Sequence, residues 1–349
     1  MNKFLVEILE QPEALTKTLN FYTLSDGETS INKVREAYKE GFKQIIFTGM
    51  GSSYFTSSAA STLFNTLGIP AFAVNSSELL HYNLSLLKKP TMLICFSQSG
   101  ESYEIKELLN KIPKTVFTVG ITNENQSFLA KEADATLLSK AGKEEMTSTK
   151  SYVSTTLVSY ILGWSLAGVW NNHKVKAIQK MIDGFKNKLD DYSAWVNKAI
   201  DFIGDLSALT IIARGPGIST AMQSGLMFKE TTKIPAFGII GGEFRHGPME
   251  MVQKGFKSIL FASEGRTLTQ SLKMAEDIAR FGGKVILITN TDSQFSHENI
   301  LTIPISERDE FLFSMQSIIP IQLFIDSYTK QKGYEAGSFA HGAKVTEIE

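Results

Sequence analysis

The pattern of this chain predicts an α/β fold of two tandem domains, each a parallel sheet flanked by helices. Three observations carry that expectation. Short motifs return at nearly constant spacing: Ile69-Pro70-Ala71-Phe72 reappears as Ile234-Pro235-Ala236-Phe237 and Glu78-Leu79-Leu80-His81 as Glu243-Phe244-Arg245-His246, both 165 residues on, while Ile121-Thr122-Asn123 reappears as Ile288-Thr289-Asn290 after 167. A period of that size is a whole domain and not a solenoid repeat. Apolar runs bounded by turn residues alternate with helical stretches, in the same order in both halves. A length of 349 residues gives each copy enough chain to bury its own core.

In the first copy, residues 44–48 read as a short buried strand and 52–67 as a helix rich in Ser, Ala and Leu. Further strands are expected at 71–74, 91–96, 116–121 and 135–138. Residues 101–111 predict a helix, because Ile105, Leu108, Leu109 and Ile112 recur at helical spacing. The second copy repeats the order, with strands at 209–213, 236–240, 258–262, 285–289 and 301–305 and helices at 218–231, 266–281 and 310–329. Two long helices, 152–170 and 174–203, stand between the copies, and their Trp164, Trp170 and Trp195 read as packing residues. Residues 333–349, with Gly337 and Gly342, read as an irregular tail.

The formal net charge is −1 and no basic block is present, which argues against nucleic acid, whose backbone recruits clustered Lys and Arg. The single cysteine, Cys95, lies in the apolar run Met92-Leu93-Ile94-Cys95-Phe96 and reads as a core residue, not a nucleophile. One cysteine rules out an intrachain disulfide. Glu7 comes too early for a signal peptide, and no apolar run approaches membrane-spanning length, so a cytoplasmic enzyme is expected.

The loop Ser97-Gln98-Ser99-Gly100-Glu101-Ser102 follows a buried strand and opens a helix. Three hydroxyls, a glycine and free helix-terminal amides would meet at one point, an arrangement suited to a phosphate. A single serine there would be an ordinary cap; three within six residues favour a ligand. The charge of Glu101 opposes a phosphate only if its side chain points inward. Gly49-Met50-Gly51-Ser52-Ser53 is a second strand-to-helix turn, with Gly215-Pro216-Gly217 its counterpart. The third glycine of a dinucleotide fingerprint is missing, as is an acidic residue after the next strand, so no nicotinamide cofactor is expected. Glycines that let the backbone approach a ligand remain consistent. Residues 144–150 offer hydroxyls at another helix start, by themselves a capping motif. Glu78/His81 and Glu243/His246 lack the third ligand that zinc needs, so no metal is expected. His246, followed by Gly247 and Pro248, falls in a turn and is expected to be accessible.

The collinear series Gly-x-Gly-Ser-Ser-Tyr (49–54), Ser-Gln-Ser-Gly-Glu-Ser (97–102), Thr-Ser-Thr-Lys (147–150), Phe-Lys-Glu (228–230), Gly-Glu-Phe-Arg-His-Gly-Pro (242–248) and Ala-Lys-Val-Thr (343–346) resembles the sugar isomerase (SIS) superfamily. Within it, the chain is most similar to the isomerase half of glucosamine-6-phosphate synthase (glutamine–fructose-6-phosphate aminotransferase) and its stand-alone relatives. The resemblance covers almost the whole chain. It implies two tandem SIS domains of five parallel strands, at 25–170 and 205–330, with an N-terminal helical segment 1–24, a linking helix 171–204 and an active-site tail 331–349. It implies a hexose 6-phosphate held by Ser97, Gln98, Ser99 and Ser102, with Gly51, Ser52, Ser53 and the Ser148 loop lining the sugar. Glu230 matches the family's base, His246 its ring-opening residue and Lys344 the lysine of the closing tail. A homodimer is implied, with the histidine donated by the neighbour.

Those residue types suit proton transfer between C1 and C2 of a sugar: a carboxylate to carry the proton, an imidazole to open the ring, and a lysine to stabilise the enolate-like intermediate or form a Schiff base. Two departures from the synthase pattern bear on the reaction. Asn2 follows Met1 where a glutaminase domain would present a cysteine, and Met227 stands where the family has a lysine. The expectation is therefore an isomerase that releases ammonia, converting glucosamine 6-phosphate to fructose 6-phosphate. The alternatives are a deglycase of fructosamine-type 6-phosphates and a non-catalytic sugar-phosphate sensor. The Ser-Thr-Lys element at 148–150 favours the deaminase over the deglycase. The combination of Glu230, His246 and Lys344 favours an enzyme over the sensor.

Overall fold

The computed structural model describes residues 2–88, 90–190, 192–292, 295, 297–333 and 336–337. Its described residues divide into two compact units, one comprising Glu10–Gln179, the other the described residues from Lys180 to 337 together with those up to Leu9. In chain order α1 (Lys3–Leu9) comes first and packs in the second unit, against the last helix. The first unit then runs α2 (Gln11–Thr23), α3 (Ser25–Lys39), β1 (Gln44–Gly49), α4 (Ser52–Thr66), β2 (Ala71–Asn75), α5 (Ser76–Tyr82), β3 (Thr91–Phe96), α6 (Tyr103–Lys111), β4 (Phe117–Thr122), α7 (Phe128–Glu132), β5 (Ala135–Leu138) and α8 (Lys150–Leu166). The division falls within α9 (Asn172–Asp190). The second unit continues with α10 (Ser193–Ile203), β6 (Leu209–Ala213), α11 (Gly217–Thr232), β7 (Ala236–Ile240), α12 (Gly241–Arg245), β8 (Lys257–Ala262), α13 (Leu268–Arg280), β9 (Lys284–Thr289), β10 (Ile300–Pro304), α14 (Glu310–Gln316) and α15 (Ile318–Gln331).

Each unit contains one five-stranded sheet, and the two have the same order: β2-β1-β3-β4-β5 and β7-β6-β8-β9-β10. Every pairing is parallel. The expected α/β fold of two parallel sheets flanked by helices is therefore the observed one. β3 is buried along its whole length, which is why Thr91–Phe96 reads as a continuous apolar run and not an alternating one. Cys95 belongs to that core, and burial pushes its thiol up to about 12. Phe47 of β1 meets the Phe64 ring edge-on at 4.8 Å and anchors α4 to the sheet.

The structure corrects three helices. The one expected over 152–170 is α8, which begins at Lys150 and stops at Leu166. Gly168 takes φ +71°, its amide bonds to Ser165 O and that of Val169 to Trp164 O, the paired bonds of a Schellman stop. Trp170 thereby leaves the helix and stacks on Trp164 at 6.3 Å. The helix expected over 310–329 is two, α14 and α15, broken at Ser317. Pro320 has no amide to bond Gln316, so it is accommodated in the first turn of a new helix. The helix expected over 174–203 is likewise two, α9 and α10, the second starting at Ser193 behind Tyr192. The short helices α5, α7 and α12 were not expected; each has too few residues for a periodic signal. Among the described residues, no helix is long and apolar enough to cross a membrane.

Candidate active site

In a sheet of order 2-1-3-4-5 the chain leaves the two central strands in opposite directions, and the crevice between their carboxyl ends is where such sheets bind ligands. In the first unit those strands are β1 and β3, paired with Thr48 beside Cys95. The turn carrying Gly51, Ser52 and Ser53 and the loop Ser97–Ser102 therefore leave the sheet side by side. α8 brings a third start to the same edge. Thr56 lies 3.5 Å from Thr156, and a methyl on Gly163 would meet the Phe64 ring at 2.7 Å, so α4 and α8 run parallel. Ser148 lies two residues before α8 and so stands at that edge as well.

The serine loop is held by its own bonds. Ser97 Oγ accepts from the Gly100 amide at 3.1 Å and pairs with Ser102 Oγ at 2.9 Å; Ser99 Oγ accepts from the Glu101 amide at 3.2 Å. Ser102 occupies the N-cap position of α6 without bonding a helix amide through its side chain, and Gly51 at the start of α4 has no side chain to do so. By contrast, Asn75 and Ser127 cap α5 and α7. The two helices that open at the crevice thus start without a side-chain cap, a setting in which an outside acceptor can be received. Among the described residues the Gln98 side-chain amide forms no hydrogen bond. The carboxylate of Glu101 turns away: it accepts from the Phe128 amide at 2.8 Å and pairs with Lys106 at 2.6 Å. Those partners, Lys106 first, hold it below the ordinary carboxylate range. Its charge is committed elsewhere and does not oppose an anion.

Two supports escaped the sequence reading. The Asn123 amide donates to Gln98 O at 3.0 Å, while its side chain accepts from Ser139 and Ala141 and donates to Gly142 O. It ties the serine loop to the segment after β5. The repeated Ile-Thr-Asn motif was the available signal, since Asn290 performs the same task after β9, accepting from the Glu264 amide and donating to Glu307 O. Glu144 is buried and accepts from the amides of Thr149 and Ser151 at 2.9 and 3.0 Å and from the Ser151 hydroxyl. It shapes the turn in which Ser148 meets Ser151 at 2.6 Å.

The second unit has the same crevice, between β6 and β8, but fills it differently. A methyl on Gly215 would come within 3.4 Å of Glu310 Oε1, and one on Gly265 within 3.0 Å of Oε2. The Glu310 carboxylate thus lies between the two loops, and burial pushes its pKa up. An anion entering there meets a carboxylate, whereas one entering the first crevice meets hydroxyls and amides.

Glu230 and His246 stand apart within this unit. α11 runs back along β7: a methyl on Gly238 would meet Met222 Cα at 2.6 Å, and one on Gly225 would meet Ala236 O at 3.1 Å. Glu230, in the last turn of α11, is therefore at the edge where β7 begins. His246, exposed after α12, is beyond the edge where β7 ends. The length of α11 alone separates them by roughly 20 Å. Met227, one turn before Glu230, is fully buried. Arg245 anchors α12 through a 2.7 Å pair with buried Asp277 of α13. Lys344 lies outside the described residues. Among the described residues, no group of three or more His, Cys, Asp or Glu could hold a metal ion.

The sequence profile of the SIS domain matches residues 41–163 and 207–328. The chain belongs to the SIS domain family. It is 27% identical over 349 residues to the isomerizing glutamine–fructose-6-phosphate aminotransferase of Methanothermobacter thermautotrophicus, covering 99% of this chain and 57% of that protein. This SIS protein thus spans little more than half the length of the curated relatives it matches. The C-terminal domain of glucosamine-fructose-6-phosphate aminotransferase from Francisella tularensis superposes with a TM-score of 0.83 at 25% identity, over 97% of this chain and 98% of that one. Glucosamine-6-phosphate deaminase from Thermotoga maritima shares the fold at a TM-score of 0.77 and 20% identity, over 99% of both chains.

Proposed function

We propose that this SIS protein is a phosphosugar isomerase that deaminates an amino-sugar 6-phosphate, with glucosamine 6-phosphate as substrate and fructose 6-phosphate and ammonia as products. The observation that carries the reading is the first crevice, where the adjacent strands β1 and β3 lead into the Ser52–Ser53 turn and the Ser97–Ser102 loop, and the helices that follow start without a side-chain cap. That lining suits a phosphate dianion and leaves the sugar carbons to be worked on by other groups. The names of the relatives, a fructose-6-phosphate aminotransferase and a glucosamine-6-phosphate deaminase, support the same substrate class.

In this reading His246 passes the proton that opens the ring. Glu230 then takes the C2 proton of the open aldehyde and returns a proton to C1, leaving an imine at C2 that water hydrolyses to the ketone and ammonia. Lys344 stabilises the charge that develops at O1. A hexose phosphate is far shorter than the separation of Glu230 from His246 within one unit, which supports a homodimer in which the neighbour donates the histidine. The test is a panel of amino-sugar and fructosamine 6-phosphates, with ammonia, free amine and hexose phosphate measured. Ammonia from glucosamine 6-phosphate, lost in Glu230→Gln, is the expected result. Release of an amino acid instead would make the protein a deglycase, and tight binding without turnover would make it a sensor.

A further inference from the structure

The first unit encloses a cavity of about 350 Å³ between α3, the end of α8 and the start of α9. α8 starts at the edge of the serine loop and runs roughly 25 Å, so its end, and the cavity with it, lies toward the opposite edge of the sheet. Glu28, Ile31, Asn32 and Arg35, spaced along one face of α3, line one wall. Ser165 and Trp170 line another, and the stack of Trp170 on Trp164 together with the turn at Gly168 holds that wall in place.

Two buried donors, one in each of these walls, are unsatisfied. Ser165 is 5% exposed and its Oγ has no hydrogen-bond partner; Arg35 Nε is buried and has none either. Among the described residues, Arg35 forms no ion pair, and neither does exposed Glu28. Native interiors seldom leave such groups unmatched, and each calls for a cause. A guanidinium and a hydroxyl facing one cavity are matched by a carboxylate, which accepts from the planar fork of an arginine in two parallel bonds. The carboxylate of Glu28, two turns away on the same wall, offers a cation its place, and Ile31 with Trp170 offers apolar surface between. The volume is in the range of sites for small molecules.

We infer that this cavity binds a small zwitterion, a free α-amino acid, with its carboxylate on Arg35 and Ser165 and its ammonium toward Glu28. No part of the inference rests on the sugar-phosphate reading. The protein is titrated with each free L-α-amino acid by calorimetry and thermal shift, alongside the amine and the carboxylic acid that lack one of the two groups. One or more amino acids should bind and raise the melting temperature, with the lone amine and lone acid weaker. Arg35→Gln should weaken binding about tenfold or more, the loss expected of one charge-assisted bond, and Ser165→Ala should weaken it less. Should Arg35→Gln fail to fold, exposed Glu28→Gln carries the test, weakening the amino acid and leaving the lone acid unaffected. Absence of binding by every amino acid overturns the inference, as does affinity unchanged in folded Arg35→Gln or in Glu28→Gln.

Discussion

At Gly100 the backbone takes φ +67°, and an added methyl would stand 2.0 Å from Ser127 Oγ. Both the conformation and the space exclude a side chain, so Gly100→Ala must reshape the serine loop or displace the cap of α7. A loss of about 1–3 kcal/mol in urea-measured stability is expected, together with weaker binding of glucosamine 6-phosphate. Unchanged affinity would remove this loop from the phosphate site. Cys95, a few residues earlier, shows the opposite use of burial. With its thiol pushed up to about 12 it holds almost no thiolate at neutral pH. Iodoacetamide should leave the native protein unmodified and alkylate it only after unfolding, as mass spectrometry can follow. The sequence placed Cys95 correctly because a continuous apolar run already specifies a strand covered on both faces. It left open the direction of the Glu101 side chain, through which alone its charge matters, and that direction is set by the Phe128 amide and Lys106.

Among the elements, the strands were the most legible. Thr91–Phe96, Ala135–Leu138, Leu209–Ala213 and Ala236–Ile240 fall on the expected residues. Helix ends were less so, because a Schellman turn at Gly168 and a proline in the first turn of α15 act over a few residues and leave the periodicity on either side intact. α12 illustrates what short elements depend on. Five residues cannot hold a helix alone, and the Arg245–Asp277 pair fastens this one to α13. Burial alone would raise the Asp277 carboxyl, but its hydrogen bonds to Lys273 and Arg245 outweigh that and hold its pKa below the ordinary 3.8. A depressed folded pKa contributes stability above the unfolded value and loses it as pH falls through the folded one. Asp277→Asn should therefore cost about 1–3 kcal/mol at neutral pH. The gap from the parent protein should narrow only below pH 3.8, which urea titrations at a series of pH values would reveal. A gap independent of pH would mean that packing, not charge, fastens α12.

For the whole molecule, the proposed homodimer makes a sharp demand. If Glu230 and His246 of different copies serve one substrate, Glu230→Gln and His246→Asn proteins, each inactive, should restore turnover when mixed and reassembled. Random pairing leaves one intact site in half of the dimers, roughly a quarter of the parent activity. Mixtures as inactive as their components would refute the sharing. The repeated motifs and the alternation of apolar runs with helices were enough to establish the α/β class, the duplication and the strands, since these follow from periodicities of two and 3.6 residues that local sequence carries. The serine loop was legible as an anion site from its own residues; that the second crevice holds a carboxylate was not local. The same strand order produces two, and the difference lies in Glu310, brought by α14 against Gly215 and Gly265 from far along the chain. The unmatched Arg35 and Ser165 were equally beyond reach, being separated by most of a domain until α3 and α8 pack. Periodicity is written in neighbours; the chemistry of a crevice is written in whichever distant side chains the packing delivers to it.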